Sequence, residues 1–344
     1  MAFSVGVMGA SGYTGGELLR LVSGHPDLAL VAAGARERVG QVVTQVHPQL
    51  DLDDGWNFVE NGTDDLLAAD VVLMALPAGR SGELNTATDS VRLVIDLGAD
   101  HRLRDPAQWT RYYGDLPLSE PWTYGLPELP GQRAAIAASD RIANPGCYAT
   151  AVQLALAPLL SAGLLADEAI TVSAASGTSG AGRRPTDALL ATNVMGSMSA
   201  YKAGGVHQHT PEVEQQLTDL AGRPVRVCFT PLLAPMPRGI IATCFGRAAG
   251  PVETADVLQV LREAYEDESF VTVLPAGRWP ATGAVLGTNR VQLSAASDQR
   301  TGVITLISTL DNLGKGAAGQ AIQNLNLALG LPETAGLSGN GVRP

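Results

Sequence analysis

The seven residues Gly9-Ala10-Ser11-Gly12-Tyr13-Thr14-Gly15 stand between an apolar run, 3–8, and a stretch, 15–23, whose Leu18, Leu19 and Val22 recur at helical spacing. Strand, glycine turn and helix in that order leave few folds open. Glycines permit a tight turn and a close backbone approach, and the amides at a helix start carry a partial positive charge. In a parallel α/β domain this is the turn that cradles a dinucleotide pyrophosphate. The spacing is Gly-x-x-Gly-x-x-Gly, shifted from the commonest form, so the strand–turn–helix context carries the reading. Gly9, Ser11, Gly12, Tyr13, Thr14 and Gly15 are the expected cofactor contacts. Further apolar runs at 28–33, 71–76 and 93–97 lack polar alternation, as strands covered on both faces do. The pattern predicts a doubly wound, Rossmann-type α/β domain.

An NAD-binding domain of this kind usually ends its second strand on an acidic residue that holds the ribose hydroxyls. Here the run 28–33 leads into Gly34-Ala35-Arg36-Glu37-Arg38. Arg36 and Arg38 suit the extra phosphate of NADP, although Glu37 stands between them.

Past residue 145 the pattern changes. An Ala- and Leu-rich helix is expected over 148–162, and strands over 169–175, 225–230, 240–245, 291–295 and 303–310. Helices fit 211–220 and 252–265, and a last one fits 315–329. Strands that follow one another with few helices between them predict an α+β second domain with a mostly antiparallel sheet.

The chemistry concentrates there. In Ile142-Ala143-Asn144-Pro145-Gly146-Cys147-Tyr148-Ala149-Thr150, a short apolar run halts and a cysteine opens the following helix. The helix N-terminus stabilises a thiolate, the nucleophilic form. Of three cysteines, Cys228 and Cys244 lie inside apolar strand-like runs and fit the usual buried, inert thiol. Two of the five histidines fall in Gly204-Gly205-Val206-His207-Gln208-His209-Thr210-Pro211-Glu212, with Thr210 as an expected N-cap. Either could serve a cysteine as acid and base, whereas His25, His47 and His101 read as surface or turn residues. The loop Ser176-Gly177-Thr178-Ser179-Gly180-Ala181-Gly182-Arg183-Arg184 offers amides, hydroxyls and two cations to a phosphate or carboxylate. No cysteine spacing suggests zinc, so no metal is expected.

Composition narrows the partners. The net charge is −11 over 344 residues, with 45% hydrophobic and 17% charged, which is globular and unsuited to nucleic acid. An anionic substrate must be drawn by a local cation cluster. The start of the chain enters a strand at once, with no charged n-region, long apolar run or transit-type segment expected before it, so no membrane partner and a reducing, cytoplasmic setting are expected.

The glycine loop, the motif around Cys147, the loop 176–183 and the His207–Glu212 motif together resemble the N-acetyl-γ-glutamyl-phosphate reductases. So do Asp96-Leu97-Gly98-Ala99-Asp100-His101-Arg102, Tyr124-Gly125-Leu126-Pro127-Glu128 and Asp311-Asn312-Leu313-Gly314-Lys315-Gly316-Ala317-Ala318-Gly319. The resemblance implies the fold of the aspartate-semialdehyde and glyceraldehyde-3-phosphate dehydrogenases. The NADP-binding domain would comprise 1–146 with 314–344, and the catalytic and oligomerisation domain 147–313, in a homodimer or homotetramer. By the same resemblance Cys147 is the nucleophile and His207 the acid/base, with His209 a possible exchange. Asn312 and Gly316 would lie beside the nicotinamide, and Asn144, Ser176, Gly177, Arg183 and His209 would meet the substrate. The expected reaction is NADPH-dependent reduction of an acyl phosphate to an aldehyde through a thioester. Rival readings are an aspartate-semialdehyde dehydrogenase, a reductase of carrier-linked aminoadipyl phosphate, and a non-enzymatic NADPH-sensing regulator.

Overall fold

The computed structural model describes residues 2–166 and 170–342. Met1, Ala169 at the head of an expected strand, and Arg343 and Pro344 at the end of an expected domain lie outside the described residues. The chain divides into two units, one of residues up to Pro145 with Ala317–Leu337, the other of Gly146–Gly316 with the residues from Ser338 on.

The first unit is built on a seven-stranded sheet. Its strands are β1 (Phe3–Met8), β2 (Leu28–Ala35), β3 (Val59–Glu60), β4 (Val71–Met74), β5 (Leu93–Asp96), β6 (Thr123–Tyr124) and β7 (Arg141–Ala143). Every pairing is parallel, in the order β3-β2-β1-β4-β5-β7-β6. The winding therefore reverses between β1 and β4, and open α/β sheets bind ligands beyond the carboxyl ends of strands at such a point. Both faces of the central strands are covered. Val5 and Val7 pack with Leu18, Leu19 and Val22 of the helix Tyr13–Ser23, and with Ala321, Ile322 and Leu325 of the helix Gly319–Leu329. Met8, Val72, Met74 and Leu66 form a second cluster on the other face. This double burial is why the strands read as unbroken apolar runs.

Three histidines expected at the surface or in turns are all buried, and of them His101 does lie in a turn. His25 is hydrogen-bonded to Asn326 Oδ1 and accepts the Asp27 N–H. His47 lies against Gly16 and bonds the Ala10 carbonyl. His101 stacks on Trp122 at 3.7 Å and bonds the Glu120 carbonyl. Each ring replaces its lost water with a specific partner.

The second unit holds β8 (Ile170–Ser176), β9 (Ser199–Ala200), β10 (Val227–Leu233), β11 (Ile240–Arg247), β12 (Val271–Val273), β13 (Val291–Asp298) and β14 (Val303–Leu310). Their order is β12-β13-β14-β11-β8-β10-β9. The sheet is mixed, which corrects the expectation of a mostly antiparallel one. The run β13-β14-β11-β8 is antiparallel, as is β10 with β9, but β10 pairs parallel with β8 and β12 parallel with β13. The reason is connectivity. Between β8 and β10 the chain passes through the helix His209–Ala221, and a crossover of that kind returns a strand parallel to the one it left.

The helix Cys147–Ser161 is buried from Tyr148 to Leu160, apolar on every side as a core helix is. It contains Pro158, which lacks the N–H that would bond the Leu154 carbonyl and would cost about 3 kcal/mol in an ordinary helix interior. The Tyr265 hydroxyl donates to that carbonyl at 2.7 Å instead. Cys244 is buried in β11, and burial pushes its thiol up to about 12. Cys228, expected to be buried as well, is exposed on β10, where neighbouring side chains alternate between the two faces. Residues from Ser338 on were expected in the first domain. Their backbone bonds run to the second unit instead, Asn289 N–H to Ser338 O and Val342 N–H to Leu286 O.

Candidate active site

Cys147 is the first residue of its helix, and Gly146 is the N-cap in extended conformation, with no capping side chain of its own. The thiol is half-buried. A Cβ placed on Gly316 would stand 2.8 Å from the Cys147 Cβ, so the chain at Gly316 passes as closely as a glycine allows.

The histidine loop turns at Gly204 and Gly205, both at positive φ, and buries His207 to 3% exposure. His207 Nδ1 accepts the His209 backbone N–H at 3.2 Å, which leaves the proton of the neutral ring on Nε2. Tyr148, the neighbour of the cysteine, meets both imidazoles edge-on, with ring centroids 5.6 Å from His207 and 6.0 Å from His209. Phe229 and Tyr201 complete the surround of His207 at 5.1 Å and 5.8 Å. Burial first, then His209 and Lys202, push the His207 imidazole down to about 3, with Glu212 acting in the opposite sense. His207 is therefore a neutral base at physiological pH. The Tyr201 hydroxyl donates to Tyr148 Oη at 3.2 Å. Burial, chiefly, raises the pKa of both phenols, and the Cys147 sulfur adds to it.

The helix that follows begins at His209 with Gln208 as its N-cap, so Thr210 sits inside the first turn rather than capping it. Pro211 falls where the helix needs no intrahelical donor. Glu212 is 1% exposed, and its Oε1 accepts the Gly146 N–H at 2.8 Å. Its own carbonyl accepts Gln153 Nε2 from the cysteine helix at 3.3 Å. Glu212 was not among the expected site residues. The available signal was a carboxylate set among Thr210, Val213 and Leu217, the inward positions of an amphipathic helix.

The loop after β8 is held from behind. The Gly177 N–H donates to the Gly239 carbonyl at 2.9 Å, and a Cβ there would come 2.7 Å from the Arg238 nitrogen. Ser176 is buried with its hydroxyl on the Gly177 carbonyl, and Arg183 is half-buried. Asn312 accepts the Gly239 N–H at 2.7 Å and donates to Ser179 Oγ at 2.9 Å. Both ends of its amide are thus used in fixing this loop. Next to it the buried Asp311 takes Arg238 Nε at 3.0 Å and the N–H groups of Gly287, Leu313 and Gly314. The second unit accordingly brings Gly316 against Cys147, and His207 and His209 against its neighbour Tyr148, and holds Ser176, Gly177 and Asn312 on a common loop support.

Asn144 belongs to the first unit. It is fully buried, donating to the Ala317 carbonyl and accepting from Asn324 Nδ2 at 3.0 Å. Those bonds engage both ends of its side-chain amide.

In the first unit, Gly9 has φ +70° and a Cβ there would run into the Ala75 carbonyl. Its N–H donates to Asn61 Oδ1 at 3.1 Å, a support that no local sequence pattern marks. A Cβ on Gly15 would strike the Gly9 carbonyl, whereas one on Gly12, the N-cap of the helix, would meet that carbonyl oxygen at an ordinary contact distance of 3.5 Å. That helix has no side-chain cap and no acidic residue in its first turn. Its leading amides suit an anion, which is the fit a pyrophosphate requires. Ser11 and Thr14 are half-buried and Tyr13 exposed. Arg36 is exposed just past the carboxyl end of β2, beside Glu37, and Arg38 donates to Gln41 Oε1 at 3.1 Å. Among the described residues, no helix is long and apolar enough to cross a membrane.

Comparison with known proteins adds to this geometry. The family model for the semialdehyde dehydrogenase NAD binding domain matches residues 4–138, and that for the semialdehyde dehydrogenase dimerisation domain matches 147–312. The N-acetyl-gamma-glutamyl-phosphate reductase of Acidothermus cellulolyticus is 54% identical over 345 residues, covering 100% of both chains. Those of Salinispora tropica and Streptomyces coelicolor are 53% and 50% identical, also over the full length of both. Among solved structures, aspartate semialdehyde dehydrogenase II from Vibrio cholerae, complexed with ASA, has a TM-score of 0.70 at 18% identity, covering 96% of this chain and 98% of that one. Aspartate semialdehyde dehydrogenase with NADP from Candida albicans has 0.71 at 18%, covering 95% and 98%. At such identities the likeness is one of fold.

Proposed function

The chain belongs to the N-acetyl-γ-glutamyl-phosphate reductases, and from that premise we propose that it reduces N-acetyl-γ-glutamyl phosphate to N-acetylglutamate 5-semialdehyde, with release of phosphate, in arginine biosynthesis. One observation carries the chemistry: a half-buried cysteine at the head of a core helix shares its unit with an imidazole that burial keeps neutral.

Cys147 gives up its proton to His207, whose Nδ1, the nitrogen without a proton, releases the His209 N–H to take it, and the thiolate attacks the acyl carbon of the substrate. The C–O bond to phosphate breaks and a thioester forms. The Cys147 backbone amide, at the helix start, stabilises the oxyanion of this step. When bound, the nicotinamide supplies the hydride that takes the thioester to the oxidation level of the aldehyde. The His207 imidazolium returns its proton to the oxygen of the resulting thiohemiacetal, then takes it back as the C–S bond breaks, so that the aldehyde leaves and Cys147 is freed as the thiolate. The glycine-loop residues Gly9, Ser11, Gly12, Tyr13, Thr14 and Gly15 hold the dinucleotide, and Arg36 and Arg38 select NADPH through its 2′-phosphate. The loop with Ser176, Gly177 and Arg183 receives the acyl phosphate. The protein works in the cytoplasm as a homodimer or homotetramer, a reading that the dimerisation-domain match supports.

The test runs the reaction backwards, following NADPH formation by absorbance from N-acetylglutamate semialdehyde or aspartate semialdehyde, with and without phosphate. Phosphate-dependent NADPH formation from the acetylated substrate alone is the expected result. Turnover of aspartate semialdehyde alone would reassign the substrate, and silence with both would overturn the reading.

A further inference from the structure

Resting on that reading of the reaction, we propose that Glu212 is a positioning residue: its carboxylate fixes the peptide that precedes the nucleophile while facing the histidine loop, and so holds thiol and imidazole as one unit.

The argument begins with what the cysteine helix lacks. At a well-capped helix start, the residue three past the cap reaches back with a carboxylate or amide to the cap's own N–H. Here that residue is Ala149, which has nothing to offer, and Gly146 contributes no side chain. The Gly146 N–H is satisfied from another helix, by Glu212 Oε1 at 2.8 Å and 66 residues further along the chain. A glycine cap is free to turn, and the orientation of its peptide sets where the Cys147 amide and side chain point. Gln153 Nε2, donating to the Glu212 carbonyl, fastens the two helices a second time, about two turns further on.

Glu212 lies five residues past His207 in the first turn of the helix that the histidine loop leads into. The titratable groups around the thiol and imidazole are Tyr148, Tyr201, His209, Lys202 and Glu212. Of the charges acting on His207, those of His209 and Lys202 disfavour its protonation and that of Glu212 favours it. During turnover His207 must hold a proton briefly, and Glu212 is the anion that makes this possible. The price is a negative charge close to the thiolate.

The experiment compares wild type with Glu212→Gln and Glu212→Ala in a Cys228→Ser background, so that the exposed second thiol does not report. The readouts are kcat and KM, NADPH affinity, thermal midpoint, and the pH dependence of Cys147 alkylation by iodoacetamide. Glu212→Gln keeps an acceptor for Gly146 but not the charge. It is expected to fold and bind NADPH as wild type does, to lose about tenfold or more in kcat with little change in KM, and to shift the alkylation midpoint to lower pH. Glu212→Ala is expected to lose more kcat. Wild-type kcat and an unmoved midpoint in folded Glu212→Gln would overturn the proposal. Should that variant not fold, Glu212→Asp, which keeps the charge and shortens the reach, is read instead, and wild-type kcat there overturns it. A wild type without phosphate-dependent turnover would sink the functional reading separately, since alkylation needs no substrate.

Discussion

At His207 burial outweighs every charge nearby, and the consequence is a pH dependence with a definite sign. The folded protein holds this ring neutral down to about 3, whereas the unfolded chain takes up a proton near the ordinary imidazole value of 6.5. Below that pH the unfolded state binds more protons than the folded one, so stability falls as pH drops from about 6.5 toward 3. His25, whose pKa is also lowered mainly by burial, acts in the same sense. Thermal midpoints measured from pH 7.5 to pH 5 are expected to fall with pH, and to fall less in His207→Asn. A slope unchanged by that substitution would show that His207 is not the group responsible. The same variant is expected to lose roughly 10²–10⁴-fold in kcat, the usual cost of a missing acid/base, with His209→Asn milder. At this scale Cys147 was legible because its cues are local: a chain-stopping Asn-Pro-Gly, then a long apolar helix. His25, His47 and His101 were not, because what buries each lies elsewhere in the sequence, Asn326 being 301 residues from His25. Glu212 escaped notice for the same reason, its partner being a backbone N–H in another helix.

Among the elements, the turn between β1 and the helix Tyr13–Ser23 has the least freedom. Gly9→Ala demands a positive φ of an L side chain and pushes a methyl into the Ala75 carbonyl. Strain of this kind costs on the order of 1–3 kcal/mol and here moves the amides proposed to receive the pyrophosphate. A nicotinamide fluorescence titration is expected to show weaker NADPH binding, alongside a lower thermal midpoint. Unchanged affinity would remove the loop from the cofactor site. Elements bounded by such turns were legible: 3–8 and 303–310 match β1 and β14 residue for residue. Strand direction in the second sheet was harder to read, because parallel or antiparallel pairing follows from how the chain travels between strands. The helix His209–Ala221 was itself expected, and its meaning for β8 and β10 emerges only once the two are seen to be neighbours.

Over the whole molecule, the first unit draws on two distant stretches of chain. Its core joins Val5 and Val7 to Ala321, Ile322 and Leu325, and His25 to Asn326. The apolar spacing of 315–329 made that helix legible in the sequence, but the course of the residues from Ser338 on was not. Ser338 and Val342 are joined to the second unit by backbone hydrogen bonds, which leave no mark in the side-chain pattern. A chain ended before Gly319 is expected to leave the β1 face bare, and to be insoluble or rapidly cut by protease. A soluble truncated chain that still binds NADPH would show the helix to be dispensable. The same arrangement has a temporal side. A ribosome working at about 5–20 residues per second needs roughly 15–60 s between Val7 and Leu325, and through that interval the first strand to be made has no finished core to join. The protein is assembled last where it was begun, so its nascent chain is a natural client for whatever shields apolar segments during synthesis.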